Sequence, residues 1–483
     1  MSKSLKQQTI SGMVWSSIGK FGTLGITFIS NLVLARLLMP SDFGYIGMLY
    51  IFLAISQVFI SGGLGSALIQ KKETTHIDYT TVFYWNLVFS VFFVVLLFFT
   101  AQSIADFYKM PMLKDILRVQ SIGLIISSFS IVQTTQLQKK LRFKELSVRS
   151  IIASFVGTIA AIVMAYNKFG VWSLVYSSLI SGVVNVILLW NMSRWRPTLE
   201  FSFQSVKELF GFGGFILFSN LINTFSNNIQ GLIIGKVFSI KDVGYYTQAR
   251  KLEEIPSVSF SSIFGQVAYP VFSKVQNDIN KLRYVLKQIT RQTASVVFPI
   301  MILLIIVAKP LITILYTEKW SDSIPYFQIL CAGGIAVSLQ SINYYVVAAI
   351  GEGRALFRWT LIKRLIGLFL LGIGTFFGMK GLLYGMVLGS YLIYFINAFL
   401  AGRYVNYNLI TQIKDLIGIL AISIITGIIV HYLGVFIPFT NIYLIVGFQI
   451  SVYSLMYIYL LSIFQHELLK EVITIIKSYI WKG

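Results

Sequence analysis

Four charged residues stand close together in an otherwise apolar stretch near the middle of the chain. They are Arg250, Lys251, Glu253 and Glu254, and Pro256 follows them. At the centre of a bilayer one charge costs about 2.5–3.5 kcal/mol on insertion scales, so four charges facing lipid would cost roughly 10 kcal/mol or more. These side chains must therefore pair, reach the membrane surface or face water.

Two explanations stay open for this cluster. Arg250 and Glu254 are spaced i, i+4, and Lys251 and Glu254 are spaced i, i+3, so a local ion-pair network that holds the helix is one of them. The other is the wall of a wet cavity whose cations bind an anionic ligand. In that case Glu253 and Glu254 would tune the cations or carry a coupling proton. Pro256 removes one backbone hydrogen bond and predicts a bend that could act as a hinge.

Two polar stripes, 200 positions apart, provide a second set of candidate binding residues. Spacings of three and four place each stripe on one face of a helix. Their amides and hydroxyls suit the hydroxyl groups of a sugar. The alternatives are contacts between helices for the amides and snorkelling to the cytoplasmic surface for the lysine. The first stripe is Lys20, Thr23, Thr27 and Ser30, continued by Asn31, and the second, at matching positions, is Asn220, Asn223, Asn227 and Gln230.

A repeated motif follows each stripe at the same offset. Arg36 ends the first apolar run and Asp42-x-Gly44-Tyr45 opens the next, while Lys236 and Asp242-x-Gly244-Tyr245 do the same 200 positions later. The two cations complement the dipoles of their helices, and they would also flank an outward-facing mouth. The two aspartates are predicted to be helix N-caps.

The elements that carry these residues are predicted to be membrane helices. Apolar residues make up 56% of the chain, mean hydropathy is +0.77, and charged residues are 12%, about half of the ~25% usual in soluble domains. In a soluble protein the net charge of +21 would suggest nucleic acid. Here the cations fall in short loops, where they set topology, so we expect no nucleic acid. Apolar runs long enough to span a bilayer number about fourteen. The alternation of basic and weakly charged loops agrees with this number and predicts that both termini lie in the cytoplasm.

The repeat predicts an all-α polytopic membrane protein built from two six-helix lobes of the same orientation. Residues 1–200 would form an N-lobe with spans one to six, and residues 201–402 a C-lobe with spans seven to twelve. Residues 403–483 would add spans thirteen and fourteen and an interfacial tail. The eighth predicted span, Val243–Tyr269, carries the charged cluster.

The sequence indicates neither an enzyme nor a metal site. Cys331 is the single cysteine, and His76, His431 and His466 lack the spacing of metal ligands. No Walker motif occurs, and no nucleophile–base set or carboxylate pair has catalytic spacing. We expect no cofactor, and the sequence leaves a proton, a sodium ion or the substrate gradient alone open as the driving force of transport.

Several stretches resemble the polysaccharide transporter family, the Wzx-type flippases of lipid-linked oligosaccharides, in particular its colanic and teichuronic acid exporter branch. The likeness runs from the first span to about Arg291. The stretches are Leu34-Ala-Arg-Leu-Leu-Met-Pro-Ser-Asp-Phe-Gly44, Gly63-Leu-Gly-Ser-Ala-Leu-Ile-Gln70, Leu137-Gln-Lys-Lys-Leu-Arg-Phe-Lys144, Phe169-Gly-Val-Trp-Ser-Leu-Val175, Ser193-Arg-Trp-Arg-Pro197 and Asp242-Val-Gly-Tyr-Tyr246.

The resemblance implies a superfamily shared with the multidrug (MATE) exporters and the lipid II flippase. It also implies a central cationic cavity, alternating access across the bacterial inner membrane, and an undecaprenyl-diphosphate oligosaccharide for surface polysaccharide synthesis as cargo. Membrane lipids and polysaccharide polymerase or export machinery would be partners. Lys20, Arg250 and Lys251 would attract the diphosphate, and Arg36 and Lys236 would receive it near the outer face.

Three alternatives stay open at this point. A cation-coupled drug exporter of the same architecture would carry lone acids for cationic cargo, whereas cations outnumber acids in the predicted interior. A membrane glycosyltransferase or polymerase would need a long extramembrane loop with catalytic residues, and the loops predicted here are short. A scaffold within an export complex would leave the cavity charges dispensable.

Overall fold

The computed structural model describes the backbone of residues 5–436 and 441–470. It describes the side chains of these residues except 5–9 and 259–267. Within these ranges every regular element is a helix, as the sequence predicts for an all-α membrane protein. By their contacts the residues divide into two compact units, Met1–Gly244 and Tyr245–Gly483, and each is described by itself.

The helices of the first unit are α1 (Leu5–Leu37), α2 (Pro40–Ser61), α3 (Leu64–Gln70), α4 (His76–Tyr108), α5 (Met112–Lys139), α6 (Phe143–Tyr166), α7 (Trp172–Ser193) and α8 (Phe203–Val237). The second unit begins inside α9 (Ile240–Val275). It continues with α10 (Ile279–Ile306), α11 (Ala308–Tyr316), α12 (Ser323–Ile350), α13 (Gly353–Thr375), α14 (Gly378–Val405), α15 (Leu409–Phe436) and α16 (Ile442–Phe464).

Twelve helical segments of the described chain are long and apolar enough to cross a membrane. Two helices at which the sequence predicts spans are not among those twelve. They are α9, the predicted eighth span, and α13, the predicted eleventh, with 36 and 23 residues. Their charged residues lower their hydropathy, and the total of fourteen spans stays a prediction. The predicted interfacial tail falls mostly on residues 471–483, outside the described residues.

The sequence predicts that the two repeated aspartates are helix N-caps, and this prediction is wrong, because each helix starts two residues before its aspartate. Asp42 lies in the first turn of α2, and its Oδ2 accepts a hydrogen bond from the backbone N–H of Met39 at 2.9 Å. Asp242 accepts from the N–H of Ser239 at 3.1 Å, and the Ser239 hydroxyl accepts from the N–H of Asp242 at 3.1 Å. The second motif is therefore a complete capping box, and the first keeps half of it.

Glycines let the two repeated motifs approach each other closely. A Cβ at Gly44 would collide with the carbonyl oxygen of Ile240, and a Cβ at Gly244 would collide with that of Pro40. The two contacts are reciprocal, since each motif's glycine meets the start of the other motif's helix. Helix α8 packs along α2 in the same unit, where Gly235 faces Met48.

The other helices of the first unit pack in neighbouring and distant pairs. Helices α4 and α5 pack on each other, as do α6 and α7, while α1 packs against α6 from far along the chain. The lobe limits predicted from the repeat, 1–200, 201–402 and 403–483, stay a prediction.

Helix α12 forms the core of the second unit, where it packs against α10 and α14. Buried polar side chains also join α13 to α14 and α16 to α10. The ammonium of Lys363 on α13 donates to Asn397 Oδ1 of α14 at 2.6 Å, and Tyr457 of α16 donates to the carbonyl of Ser295 on α10 at 2.8 Å. Because lipid offers no hydrogen-bond partners, such contacts hold membrane helices in register.

Candidate functional site

The charged cluster of α9 is partly paired within its own helix. Arg250 Nε lies 2.6 Å from Glu254 Oε1, and the same guanidinium donates to the hydroxyl of Tyr246 at 2.9 Å. This is the i, i+4 pair that the spacing predicts. The Arg250 and Glu254 side chains keep 31% and 42% of their surface exposed, so pairing does not bury either side chain completely.

Glu253 differs from Glu254 in that it is buried and makes no ion pair among the described residues. It is 7% exposed, its Oε1 has no hydrogen-bond partner, and it packs against Gly334 of α12 near Met301 of α10. A buried carboxylate oxygen without a hydrogen-bond partner is unfavourable. Glu253 is therefore a buried acid whose Oε1 could accept a hydrogen bond or bind a cation.

Pro256 lies one turn further along a helix that continues without a break from Ile240 to Val275. Its ring removes one backbone hydrogen bond from the helix. Lys251 is exposed on the same turn as the ion pair. Arg250 and Lys251 therefore provide an accessible pair of neighbouring cations, and the hinge role of Pro256 stays a prediction.

The amide stripe of α8 lies on an exposed face of that helix. Asn220, Asn223 and Asn227 are all exposed. Four of the large exposed apolar residues of α8 lie about half a turn away from this stripe, at ~100° per residue. They are Phe215, Phe218, Ile222 and Phe225. Since the opposite face already suits lipid, the amide face is suited to a polar environment.

Gln230 at the end of the stripe is less exposed. Its Nε2 donates to the carbonyl of Ser226 at 3.2 Å, while its Oε1 is buried without a partner. A ligand hydroxyl or a water molecule could satisfy this acceptor.

The first stripe, on α1, is divided between two environments. Lys20 is exposed, whereas Thr23 and Thr27 donate to the backbone carbonyls of Gly19 and Thr23 at 2.8 Å each. Thr27 also lines a cavity within the first unit, between α1, α6 and α7. Asn31, one turn further, is half-buried.

The equivalent cations at the ends of α1 and α8 are both exposed. The ammonium of Lys236 donates to the carbonyl of Phe107 at 2.5 Å and lies 3.9 Å from the centre of the Phe107 ring. That carbonyl belongs to the last turn of α4, where a cation complements the helix dipole. Lys236 therefore has a structural role, and the role of Arg36 and Lys236 as receiving groups for a ligand stays a prediction.

A four-residue ion cluster near the predicted cytoplasmic side was missed from sequence. Lys71 bridges Asp78 and Glu208 at 3.1 Å each, and Lys139 donates to the carbonyl of Leu68 at 3.0 Å and to the Thr74 hydroxyl at 3.1 Å. We call Lys71, Asp78, Lys139 and Glu208 the clasp. The sequence does not predict the clasp, because its members are far apart in sequence and belong to one loop and three different helices.

The charges of the clasp set the protonation of its central lysine, which lies outside the membrane spans. Burial lowers the pKa of Lys71, but the hydrogen bonds and charges of Asp78 and Glu208 outweigh it, so the pKa lies above the ordinary value. Lys71 therefore stays charged at neutral pH and links the loop before α4 to the start of α8.

Metal ligands do not cluster in the part of the chain that the structure describes, where no three His, Cys, Asp or Glu side chains come together. The chemistry that the described residues offer is binding through cations, amides and hydroxyls.

A family described as "Polysaccharide biosynthesis protein" matches residues 33–325. The lipopolysaccharide biosynthesis protein WzxC of Escherichia coli (strain K12) is 25% identical over 400 residues, which cover 82% of this chain and 81% of that protein. The teichuronic acid biosynthesis protein TuaB of Bacillus subtilis (strain 168) is 27% identical over 358 residues, 74% of each chain. The succinoglycan biosynthesis transport protein ExoT of Rhizobium meliloti (strain 1021) is 27% identical over 370 residues, 75% of this chain and 74% of that protein.

Two solved structures share the fold. The lipid II flippase MurJ in an inward closed conformation matches with a TM-score of 0.78 at 16% identity, over 94% of this chain and 99% of that one. An inward-facing multidrug resistance MATE family transporter of the MOP superfamily matches with a TM-score of 0.63 at 17% identity, over 82% and 98%. With its twelve candidate spans, the chain is a multi-pass membrane protein of this fold.

Proposed function

The chain belongs to the polysaccharide biosynthesis protein family, and from this premise we propose that it is a flippase for undecaprenyl-diphosphate-linked oligosaccharides. It would move these units across the bacterial inner membrane for surface polysaccharide synthesis, as a transporter and not as an enzyme. The relatives named for lipopolysaccharide, teichuronic acid and succinoglycan support this cargo class.

The observation that carries the proposal is the accessible cation pair on α9. Arg250 keeps 31% of its side chain exposed although it is paired with Glu254, and Lys251 beside it is exposed. A diphosphate carries negative charge at neutral pH and binds best to guanidinium and ammonium groups. Arg250 and Lys251 would therefore bind the diphosphate of the cargo, with Lys20 as a further cation in the first unit.

The remaining parts of the cargo need different surroundings. The amides of Asn220, Asn223 and Asn227 are exposed and suit sugar hydroxyls, while the polyprenyl tail stays in the lipid. Movement would follow alternating access, with the two lobes rocking against each other. Pro256 would bend α9, and Arg36 and Lys236 would receive the diphosphate near the outer face.

The energy source in this proposal is a proton. Glu253 is the candidate carrier because it is 7% exposed and its Oε1 lacks a hydrogen-bond partner. A sodium ion is the alternative coupling ion, with Glu253 or Glu254 as a ligand. The polymerase and export machinery of the same polysaccharide would act next and are proposed partners.

A drug exporter is the second candidate function, because a MATE family transporter shares the fold. Cationic drugs need acidic sites, whereas Glu254 is neutralised by Arg250 and Glu253 stands beside accessible cations. A glycosyltransferase is disfavoured by the short connections, since the longest one between described helices is residues 194–202. The flippase fits the charges best.

Deletion of the gene in its host tests the proposal. A flippase predicts loss of surface polysaccharide together with accumulation of complete lipid-linked oligosaccharide on the cytoplasmic side. Failure to assemble the oligosaccharide would instead indicate a glycosyltransferase. Unchanged polysaccharide with new drug sensitivity would indicate an exporter, and either result would contradict the proposal.

A further inference from the structure

A cavity of about 490 Å³ lies within the first unit, between α1, α6 and α7. Its volume falls in the range of about 300–1,000 Å³ that small-molecule sites occupy. Hydroxyl groups dominate its lining, and only Thr27 and Ser30 among them belong to the polar stripes identified from sequence. The polar lining residues are Thr27, Ser30, Ser150, Ser154, Thr158, Ser177, Ser178, Ser181 and Asn185.

Five of these hydroxyl groups already donate their protons to backbone carbonyls. The distances run from 2.7 Å for Ser178 to 3.1 Å for Ser177. The other three are Thr27, Ser150 and Ser181. Each of these oxygens keeps lone pairs that can accept a hydrogen bond. The cavity therefore offers a ligand many acceptors.

Three further hydroxyl groups have no hydrogen-bond partner among the described residues. Ser30 is 9% exposed and lines the cavity without a partner for its hydroxyl, and Ser154 and Thr158 are half-buried with none. Because these three hydroxyl groups make no hydrogen bond with the described residues, they are available to a ligand or to water in the cavity.

An oriented amide completes the lining. Arg149 Nη1 donates to Asn185 Oδ1 at 2.8 Å, which leaves the amide N–H groups of Asn185 as donors. The cavity thus combines acceptors, unpartnered hydroxyls and one amide donor. A cavity with such a lining suits a ligand whose groups both donate and accept hydrogen bonds.

Charge decides which ligand fits. No carboxylate lines the cavity, and the guanidinium of Arg149 stands behind Asn185, so a metal or drug cation is disfavoured. A diphosphate would bring negatively charged acceptor oxygens next to hydroxyl oxygens that can themselves only accept hydrogen bonds. An acyl chain would leave the hydroxyl groups without hydrogen bonds. A neutral polyhydroxyl ring satisfies both kinds of group.

We propose that the cavity lined by Ser30, Ser154, Thr158 and Asn185 binds a neutral sugar residue of the transported oligosaccharide. This inference rests on the proposed flippase function and divides the cargo by chemistry. The cations would bind the diphosphate, and the hydroxyl-lined cavity would bind a sugar residue of the glycan.

Binding by the full-length protein in lipid nanodiscs tests the inference. The probes are undecaprenyl diphosphate without sugar and the lipid-linked oligosaccharide extracted from a host strain that lacks this chain. The test variant is Ser30→Ala/Ser154→Ala/Thr158→Val, which removes only hydroxyls without partners. Loss of two or more hydrogen bonds predicts about a tenfold weaker preference for the oligosaccharide. Affinity for undecaprenyl diphosphate should not change.

Thr100→Val is the matched control, because Thr100 is half-buried on α4, lies outside the cavity lining and donates to the carbonyl of Leu96 at 2.8 Å. Its preference for the oligosaccharide should equal that of the wild type. Ser154→Leu, which fills the cavity, should reduce the preference as the triple variant does.

Two results would overturn the inference: a triple variant that prefers the oligosaccharide as strongly as the wild type, or equal loss of affinity for both probes. Failure of the flippase proposal would look different, because the wild type itself would then fail to bind or flip either lipid.

Discussion

At the scale of single residues, Glu253 and Glu254 show how position separates two adjacent carboxylates. Glu254 forms an ion pair with Arg250 at 2.6 Å and keeps 42% of its side chain exposed, whereas Glu253 is 7% exposed and has no partner for Oε1. The first neutralises a cation locally. The second fits a group that gains and loses a proton.

Removal of the two exposed cations should stop transport. We expect Arg250→Ala/Lys251→Ala to lower polysaccharide export at least tenfold, since a hydrogen bond to a charged group contributes about 1.5–3 kcal/mol. Protein level in the membrane should be normal. The matched control is Arg283→Ala, at an exposed position on α10. Full export by the double variant would remove the diphosphate role.

Neutralisation of Glu253 should uncouple transport from the proton gradient. Glu253→Gln keeps the size of the side chain and removes no ion pair among the described residues, so we expect normal folding. Stimulation of flipping by an imposed pH gradient should disappear, measured in vesicles with and without the gradient. Glu254→Gln leaves Glu253 intact and should keep the stimulation. A gradient-stimulated Glu253→Gln variant would exclude this carrier.

The sequence predicted some of these residue environments and not others. The Arg250–Glu254 pair follows from helical spacing alone. The isolation of Glu253 does not, because it depends on Gly334 and Met301, which are distant in sequence. The partners of Arg149 and Lys71 were missed for the same reason.

At the scale of helices, the two repeated motifs meet through glycines that leave no room for a side chain. Gly44 faces the carbonyl of Ile240, and Gly244 faces that of Pro40. The sequence predicted the repeat and the start of a new helix after each motif. It did not predict that the motifs contact each other or that Ser239 is the cap of α9.

Alanine at these glycines should destabilise the protein. We expect Gly44→Ala and Gly244→Ala each to lower the free energy of unfolding by about 1–3 kcal/mol, because the new methyl group collides with the backbone. Gly25→Ala on α1, where a Cβ would meet nothing within 4 Å, should stabilise by about 0.5–1 kcal/mol. Unfolding in mixed micelles measures both. Equal effects at Gly25 and Gly44 would contradict the close approach.

The clasp should depend far more on its lysine than on its exposed acid. Lys71→Ala leaves Asp78, 1% exposed, without its cation and should cost about 3 kcal/mol of stability. Glu208 is 49% exposed, so Glu208→Gln should change stability little. The same unfolding assay compares the two, and a larger loss for Glu208→Gln would refute this ranking.

The clasp should also be insensitive to pH near neutrality. The pKa of Lys71 is raised by folding, so its contribution is complete below the ordinary lysine pKa and is lost only as pH rises through the higher folded value. Between about pH 6 and 9 the difference in stability between the wild type and Lys71→Ala should therefore be constant. A steady decline of that difference across this range would contradict the assignment.

At the scale of the whole molecule, composition and repeat predicted the fold class correctly. Mean hydropathy of +0.77 and the 200-position repeat indicate a helical membrane protein, and twelve helical segments are long and apolar enough to span a membrane. The cavity between α1, α6 and α7 could not be predicted, because the pairing of α1 with α6 joins parts of the chain that periodicity treats separately. Apolar periodicity identifies helices but not their partners.

The most direct test of the account is transbilayer movement in reconstituted vesicles. Fluorescently labelled undecaprenyl-diphosphate oligosaccharide would be placed in the inner leaflet, and its exposure to an impermeant quencher outside would be followed over time. We predict that vesicles with the wild-type chain expose the label, while vesicles with Arg250→Ala/Lys251→Ala or without protein do not. Equal exposure in all three kinds of vesicle would contradict the central claim that this chain moves a diphosphate-linked glycan through the membrane.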